Sequence, residues 1–242
     1  MKKGEILNTK VIRLSASPPG FGDTPDELES EMFVSAVPVQ HSHSDYENDD
    51  IGLYVGLWDT TSMTEVAGPY ACDEFMWLLE GEVEIRNNAT GSIDKVCAGE
   101  AFVIPQGYDC QWLQTGYLRK YYVIFEPPEL AVPLAPAVNG IVKPKLIERR
   151  NRSVEQTDTV AYEDSEGLFC AGSWQSGPFR CGLCDKPYHQ FVFVAEGSLH
   201  TVDAGGEEQA FEKGEALFIP KGTWCSWRAE GDLGIHYVKV HT

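Results

Sequence analysis

The sequence predicts an all-β protein made of two tandem barrels, and three observations carry that expectation. The first is an internal repeat: GEAFVIPQGYDCQW at Gly99 to Trp112 returns as GEALFIPKGTWCSW at Gly214 to Trp227. Trp174 stands 116 residues after Trp58, and Gly197 stands 116 after Gly81. Pro220, Gly222, Trp227 and Tyr237 follow Pro105, Gly107, Trp112 and Tyr122 by 115. The offset slips by one residue in the turn NNATGSIDK against DAGGEEQ, which marks a duplicated unit with a variable turn. The second is that each copy reads as short apolar and β-branched runs divided by turn residues. The third is the near absence of helix-period segments; only Thr24 to Glu31, with Pro25 suited to a first helical position, reads as a short turn of helix.

The elements follow in order. An N-terminal arm with SASPPGFGDTPDELES leads to HSHSDYENDD, His41 to Asp50, which reads as a solvated acidic loop. FMWLLEGEVEI and FVFVAEGSLHT are runs broken by Glu-Gly, as a hairpin requires. NNATGS and DAGGEE supply turn residues that tolerate positive φ. AFVIPQG and ALFIPKG each end a strand at a proline, which cannot donate to the ladder. LRKYYVIF and LGIHYVKV close the copies as terminal strands. The proline-rich FEPPELAVPLAPAVNGIVKPK reads as an extended connection whose apolar residues pack on the barrels. The expected division is residues 1–140 for the arm, first barrel and connection, and 141–242 for the second barrel, with cores at about 50–125 and 165–240.

Composition narrows the function classes. The chain has 242 residues, 43% hydrophobic and 23% charged, a folded globular composition. Its formal net charge of −18 repels nucleic-acid phosphates and anionic membranes, so neither is an expected partner. KPKLIERRNR, at Lys143 to Arg152, reads as a solvated basic run between the halves. No apolar stretch of signal-peptide or membrane-spanning length is present, and the seven cysteines are odd in number and scattered. Together these predict reduced thiols in the cytoplasm.

The repeated motifs resemble the cupin superfamily, whose second motif runs Gly, five residues, Pro, one, Gly, two, His. It stands here as Gly99-EAFVI-Pro105-Gln-Gly107-YD-Cys110 and Gly214-EALFI-Pro220-Lys-Gly222-TW-Cys225. The end of the first cupin motif, Glu, six residues, Gly, stands as Glu74-FMWLLE-Gly81, with Gln190 at the glutamate position of the second copy. The tryptophan before each motif, the EGE and EGS turns and RKYYV look most like the group related to (S)-ureidoglycine aminohydrolase. The resemblance implies a bicupin: two jelly-roll barrels, each with a cavity at one end. In metal cupins that cavity holds a divalent ion on two histidines, a glutamate and the histidine of the second motif; the aminohydrolase relatives use Glu, His, His and Gln with manganese. Those positions correspond to Gly68, Tyr70, Glu74 and Cys110 in the first copy. In the second they are Cys184, Lys186, Gln190 and Cys225, so no histidine stands at a ligand position in either copy.

What these residues can do follows from their chemistry. Manganese takes oxygen and imidazole donors, and thiolate suits zinc. Cys72, Glu74 and Cys110 would supply three ligands for zinc if they converge. The alternative is that Cys110 is a small buried apolar filler. Cys181 and Cys184 form a lone CxxC, and His189 beside Gln190 should face the other side of its strand. A nucleophilic cysteine needs a nearby base or cation, and Lys186 is the candidate for Cys225, with Lys120 and Arg119 near the first site. Cys110 and Trp112, two apart, share a strand face, as do Cys225 and Trp227, so each cysteine is a candidate cavity-wall residue. Trp77 and Phe193 belong to the aromatic core set, and His200 and His236 alternate with apolar residues.

The expected function is binding of a small polar metabolite in one or both barrels, the first above all because it keeps Glu74. The expected lining is Tyr70, Glu74, Cys110, Trp112, Lys186, Gln190, Cys225, Trp227 and His236. No metal is the preferred expectation, with zinc or manganese as the alternative. That alternative is a metal-dependent enzyme acting on a nitrogenous or carboxylated metabolite, with Glu74 and Cys110 as ligands and Tyr70 or Lys120 as acid or base. A homodimer is the expected assembly.

Overall fold

The computed structural model describes residues 10–128, 136–147 and 156–242. Its elements are almost all strands. β1 (Ile12–Leu14) comes first, followed by β2 (Gln40–Asn48), β3 (Leu53–Thr60), β4 (Met63–Thr64), β5 (Gly68–Pro69), β6 (Asp73–Glu80), β7 (Glu82–Asn87), β8 (Ile93–Cys97), β9 (Ala101–Ile104), β10 (Asp109–Gln114) and β11 (Leu118–Phe125). The second series is β12 (Thr157–Glu163), β13 (Phe169–Ser176), β14 (Phe179–Arg180), β15 (Cys184–Asp185), β16 (His189–Glu196), β17 (Ser198–Asp203), β18 (Glu208–Glu212), β19 (Ala216–Ile219), β20 (Trp224–Ala229) and β21 (Leu233–Val240). Where a turn of helix was expected over Thr24 to Glu31, the chain forms a single 3-10 turn at Ser30–Met32, with no side chain capping it.

The first barrel packs the sheet β2-β3-β11-β6-β9 against β4-β10-β7-β8, with β5 also paired to β10. Between them lie Met76, Leu78, Val83, Ile85, Phe102, Ile104 and Trp112. The second repeats the plan: β1-β19-β16-β21-β13-β12 against β14-β20-β17-β18, with β15 on β20 and a core that includes Val192, Val194, Leu217, Phe211 and Trp227. The Glu-Gly hairpins explain why glycine recurs there. Gly81 (φ +81) and Gly197 (φ +76) sit in the left-handed region, and a Cβ would lie 2.2 Å from the Tyr117 carbonyl oxygen and 2.0 Å from that of Asp232.

HSHSDYENDD is not a solvated loop. Its first eight residues lie in β2, paired with β3 from Gln40↔Thr60 to Asn48↔Leu53, so the barrel starts at about residue 40. Gln40, Ser42 and Ser44 line the cavity while His41, His43 and Asp45 fall on the opposite face, His41 paired with Asp59 at 2.7 Å, and a strand polar on both faces hides from a composition-based reading.

By contacts the chain forms two units that interleave. Among the described residues, one is drawn from Ser15–Pro144 with Ala161–Phe169, and the other from residues 10–14, 145–147 and 156–160 with Cys170–Thr242. Each unit draws on more than one segment, with several crossings of the chain between them. β1 accounts for one of them, pairing Ile12↔Phe218 through Leu14↔Ala216 and covering the edge of β19. In the first barrel Val142 makes the corresponding bridge, to Val103 of β9. An uncovered edge strand is a template for unwanted pairing, and each barrel covers this one with a segment from outside its own repeat. Part of the proline-rich connection lies outside the described residues.

Candidate functional site

Strand alternation builds the site of the first barrel. Successive side chains point to opposite faces, so Gln40, Ser42 and Ser44 of β2, Tyr54 and Trp58 of β3, and Lys120, Tyr122 and Ile124 of β11 all face inward. The register aligns them: Ser42 lies opposite Trp58, and Trp58 opposite Lys120. Gly56, between Ser44 and Tyr122, carries no side chain because a Cβ there would meet the His43 carbonyl oxygen at 2.0 Å and the Tyr122 hydroxyl at 2.8 Å. Gly172 repeats this against Thr159 and Tyr237. The inward residues, with Met32, Phe33, Met63, Glu65, Tyr70, Glu74 and Trp112, enclose a cavity of about 430 Å³. That is enough for a small metabolite.

At its floor is a buried ion pair. Lys120 Nζ donates to Glu74 Oε1 at 2.7 Å, with both side chains almost wholly buried. The Tyr70 hydroxyl donates to the other carboxylate oxygen, Oε2. The Lys120 ammonium also lies 4.7 Å from the centre of the Trp58 ring and 5.0 Å from that of Trp112, so the quadrupoles of both rings assist Glu74 in holding the charge. Burial, and then the Glu74 charge, push the Tyr70 phenol well above its ordinary value, so it remains a donor.

The three catalytic candidates Tyr70, Glu74 and Lys120 therefore meet at one point, and Trp112 borders it. Cys110 does not join them. It lies in the apolar core and lines a separate cavity of about 200 Å³ with Glu65, Gly68, Tyr70 and Trp112. Cys72 is buried and lines neither cavity. Burial pushes the Cys110 thiol up to about 12 and the Cys72 thiol well above its ordinary value, which makes neither a ready thiolate. The donors do not fit a metal ion. Both Glu74 oxygens are engaged by Lys120 and Tyr70, and among the described residues no three His, Cys, Asp or Glu side chains are grouped to hold one. The expected set of Cys72, Glu74 and Cys110 does not converge: Cys72 lines neither cavity, and Cys110 lines the one that Glu74 does not.

Glu65 is the residue that sequence reasoning missed. It follows β4, its backbone is fixed by Glu65 N–H to the Trp112 carbonyl at 3.1 Å and by Gln111 Nε2 to the Glu65 carbonyl at 2.8 Å, and it lines both cavities. Among the described residues none hydrogen-bonds or ion-pairs with its carboxylate. Burial raises the carboxyl from 4.5 to about 7, with Lys120 opposing and Glu74 adding to the shift. The sequence signal was there in the repeat: 116 residues on stands Cys181, a carboxylate in one copy without a counterpart in the other.

The second barrel has a smaller cavity, about 160 Å³, lined by Asp158, Trp174, Lys186, Tyr188, Gln190, Trp227, Ile235, Tyr237 and Lys239. Lys186 Nζ lies 4.2 Å from the Trp227 ring centre, and Lys239 pairs with Asp158 at 3.5 Å. Lys186, Gln190 and Trp227 are thus together, while Cys225 is fully buried in the core behind them, its thiol raised by burial and eased by Lys186. His236 sits between Ile235 and Tyr237, so alternation turns it away from the cavity those two line; burial lowers it to about 4 and keeps it neutral. His189 likewise faces away from Gln190 and is lowered to about 4 by burial and then by Lys221. Cys184 pairs with Cys225 across β15 and β20, and Cys181 Sγ accepts from the Trp227 N–H at 3.2 Å, so the CxxC cysteines hold the edge of a sheet.

Two barrels whose hairpins, prolines and cavity tryptophans coincide match known architecture. A family model for the EutQ-like cupin domain matches residues 164–234. The chain has the cupin fold. Both cupin barrels are reflected in solved structures, though at identities that speak to the fold alone. A protein of unknown function of the DUF861 family from Pseudomonas syringae pv. tomato superposes with a TM-score of 0.71 at 16% identity, over 96% of this chain and 100% of its own. A cupin 2 conserved barrel domain protein from Leptotrichia buccalis gives 0.62 at 12%, over 86% and 99%. The protein Ylba from E. coli, of the DUF861 family, gives 0.55 at 10%, over 96% and 91%. Among curated proteins no relative matches the chain.

Proposed function

We propose that the chain is a bicupin related to the (S)-ureidoglycine aminohydrolase-like group, and that its first barrel binds a small polar metabolite through its own side chains, without a resident metal ion. The observation that supports this is the buried Lys120–Glu74–Tyr70 constellation at the floor of a cavity of about 430 Å³ with aromatic walls. A buried ion pair is weak evidence for stability, since apolar residues fill such space as well or better. Its presence at the end of a cavity is better explained by recognition. Tyr70 donates and Glu74 accepts, with Ser42, Ser44 and Gln40 as further polar groups on one wall and Trp58, Trp112, Tyr54 and Tyr122 supplying apolar area.

The test is a thermal-shift screen of small metabolites on protein purified without added metal, repeated with a chelator. A ligand that binds only the folded chain at about 100 times its Kd adds about 2.7 kcal/mol. The expected result is a rise in melting temperature that the chelator leaves intact and that Lys120→Met removes. One tightly bound zinc or manganese per chain, lost in Glu74→Ala, would overturn the metal-free site.

A further inference from the structure

We propose that the first cavity takes a small organic cation, a primary or substituted ammonium, with the Glu65 carboxylate as its counter-charge. This rests on the cavity being a ligand site, as proposed above, and adds the class of ligand.

Charge bookkeeping inside the cavity carries the inference. Three ionisable groups of opposite sign line it, Glu65, Glu74 and Lys120, and two of them cancel: Lys120 Nζ and Glu74 Oε1 are 2.7 Å apart. Tyr70 takes the remaining Glu74 oxygen, so that carboxylate is satisfied from within. Glu65 is left. Its backbone is held at both N–H and carbonyl by β10, which keeps the side chain at the cavity wall, yet among the described residues nothing hydrogen-bonds or ion-pairs with the carboxylate. A carboxylate partly removed from water without a partner is costly, and a cationic ligand is the missing partner. The walls suit the same occupant. Tyr54 and Tyr122 line the cavity beside Trp58, and ring faces attract ammonium groups.

The second barrel shows that this polarity is not a property of the fold. At the positions equivalent to Glu65, Tyr70, Glu74, Lys120 and Ile124 it has Cys181, Lys186, Gln190, Ile235 and Lys239. Its cavity holds Lys186, Lys239 and Asp158, with cations outnumbering carboxylates, where the first holds two carboxyls to one lysine and carries a surplus of one negative charge once Glu65 is ionised. Since both barrels keep the tryptophans, the glycine under the tyrosine and the strand register, what diverged between the copies is the charge presented to a ligand.

Binding a cation also draws the proton from Glu65, whose carboxyl burial raises to about 7 in the empty cavity. The groups facing it are Lys120 on β11, Glu74 on β6, Tyr70 after β5 and Cys110 on β10; the thiol and phenol are raised by burial and stay neutral. Ammonium affinity should therefore strengthen as pH rises through neutrality.

Propylammonium, propionate and propanol, matched in length, are titrated at constant ionic strength into the full chain and into Glu65→Gln, following indole fluorescence and ligand-observed NMR. The expected result is saturable binding of propylammonium that is about tenfold weaker in Glu65→Gln. It should also lose its pH dependence in that variant. If propionate or propanol binds instead and Trp58→Phe weakens it, the cavity is a ligand site but not for cations, and the proposal falls alone. If none of the three binds at millimolar concentration, or if propylammonium binding is untouched by Glu65→Gln, the proposal is overturned; in the first case the ligand-site reading falls with it. A thermal melt confirms that the variant is folded.

Discussion

Glu65 gives the sharpest test of the site's electrostatics, because its effect on stability has an unusual sign. Most carboxyls in folded proteins are held at or below their ordinary values and stabilise the fold above them. Burial instead raises Glu65 from 4.5 to about 7. The folded chain then keeps a proton that the unfolded chain has released, so stability falls as pH rises from about 4.5 to about 7 and stays reduced above that. The displacement amounts to at most about 3 kcal/mol at alkaline pH, and water reaching the half-buried side chain reduces it. Glu65→Gln keeps the shape and removes the charge. It should be close to wild type near pH 4.5 and more stable by about 1–3 kcal/mol at pH 8, a rise of roughly 2–10 °C in melting temperature. Urea or thermal unfolding of both proteins across that range measures it. Subtracting wild type from variant cancels the neutral buried histidines His189 and His236, which lose stability in the opposite direction, as pH falls from 6.5 towards 4. A difference that does not change with pH would refute the description of Glu65 as an unpartnered carboxyl.

Three further outcomes follow from the same geometry. Lys120→Met should cost about 3 kcal/mol in denaturant unfolding by stranding Glu74, while Lys120→Met with Glu74→Met should recover most of it, since the penalty belongs to the unpaired charge. Gly56→Ala and Gly172→Ala should each destabilise by about 3 kcal/mol or more, because the new Cβ collides with backbone at 2.0 and 2.4 Å; a neutral result in calorimetry would contradict the tyrosine packing. In thiol titration at neutral pH, exposed Cys97 and Cys184 should react first, and buried Cys110 and Cys225 only on unfolding.

Much of the fold was legible because duplication doubles every signal. The Glu-Gly hairpins, the strand-ending prolines and the paired tryptophans appear twice, and the structure places them in equivalent strands. What escaped was whatever one copy alone carries. β2 was hidden because the residues on its cavity face, Gln40, Ser42 and Ser44, and those between them, His41, His43 and Asp45, are all polar, leaving no apolar alternation. β1 pairs with β19 across separations of 202 to 206 positions, a contact no local pattern can announce. At the site, Tyr70, Glu74 and Lys120 were identified individually, yet the 2.7 Å pairing that defines their chemistry depends on β6 and β11 being neighbours in register. Glu65 matches no motif, and His236, expected in the lining, stands between Ile235 and Tyr237, so strand alternation turns it from the cavity those two line.

The matched cysteines Cys110 and Cys225 illustrate the difference between what duplication keeps and what it changes. Each lies in its barrel's apolar core, two residues before a tryptophan that carries an ammonium on its face, Lys120 over Trp112 and Lys186 over Trp227. Those two lysines are not equivalent: one comes from the terminal strand, the other from the segment after the short strand β15. The two barrels have reached the same cation–ring contact from different strands, whereas the cysteines behind it stayed put. Packing alone does not call for an ammonium at either place, since an apolar side chain would fill the space. The contact fits a charge held at each cavity wall, with the cysteine as the small filler behind the tryptophan that the charge reaches.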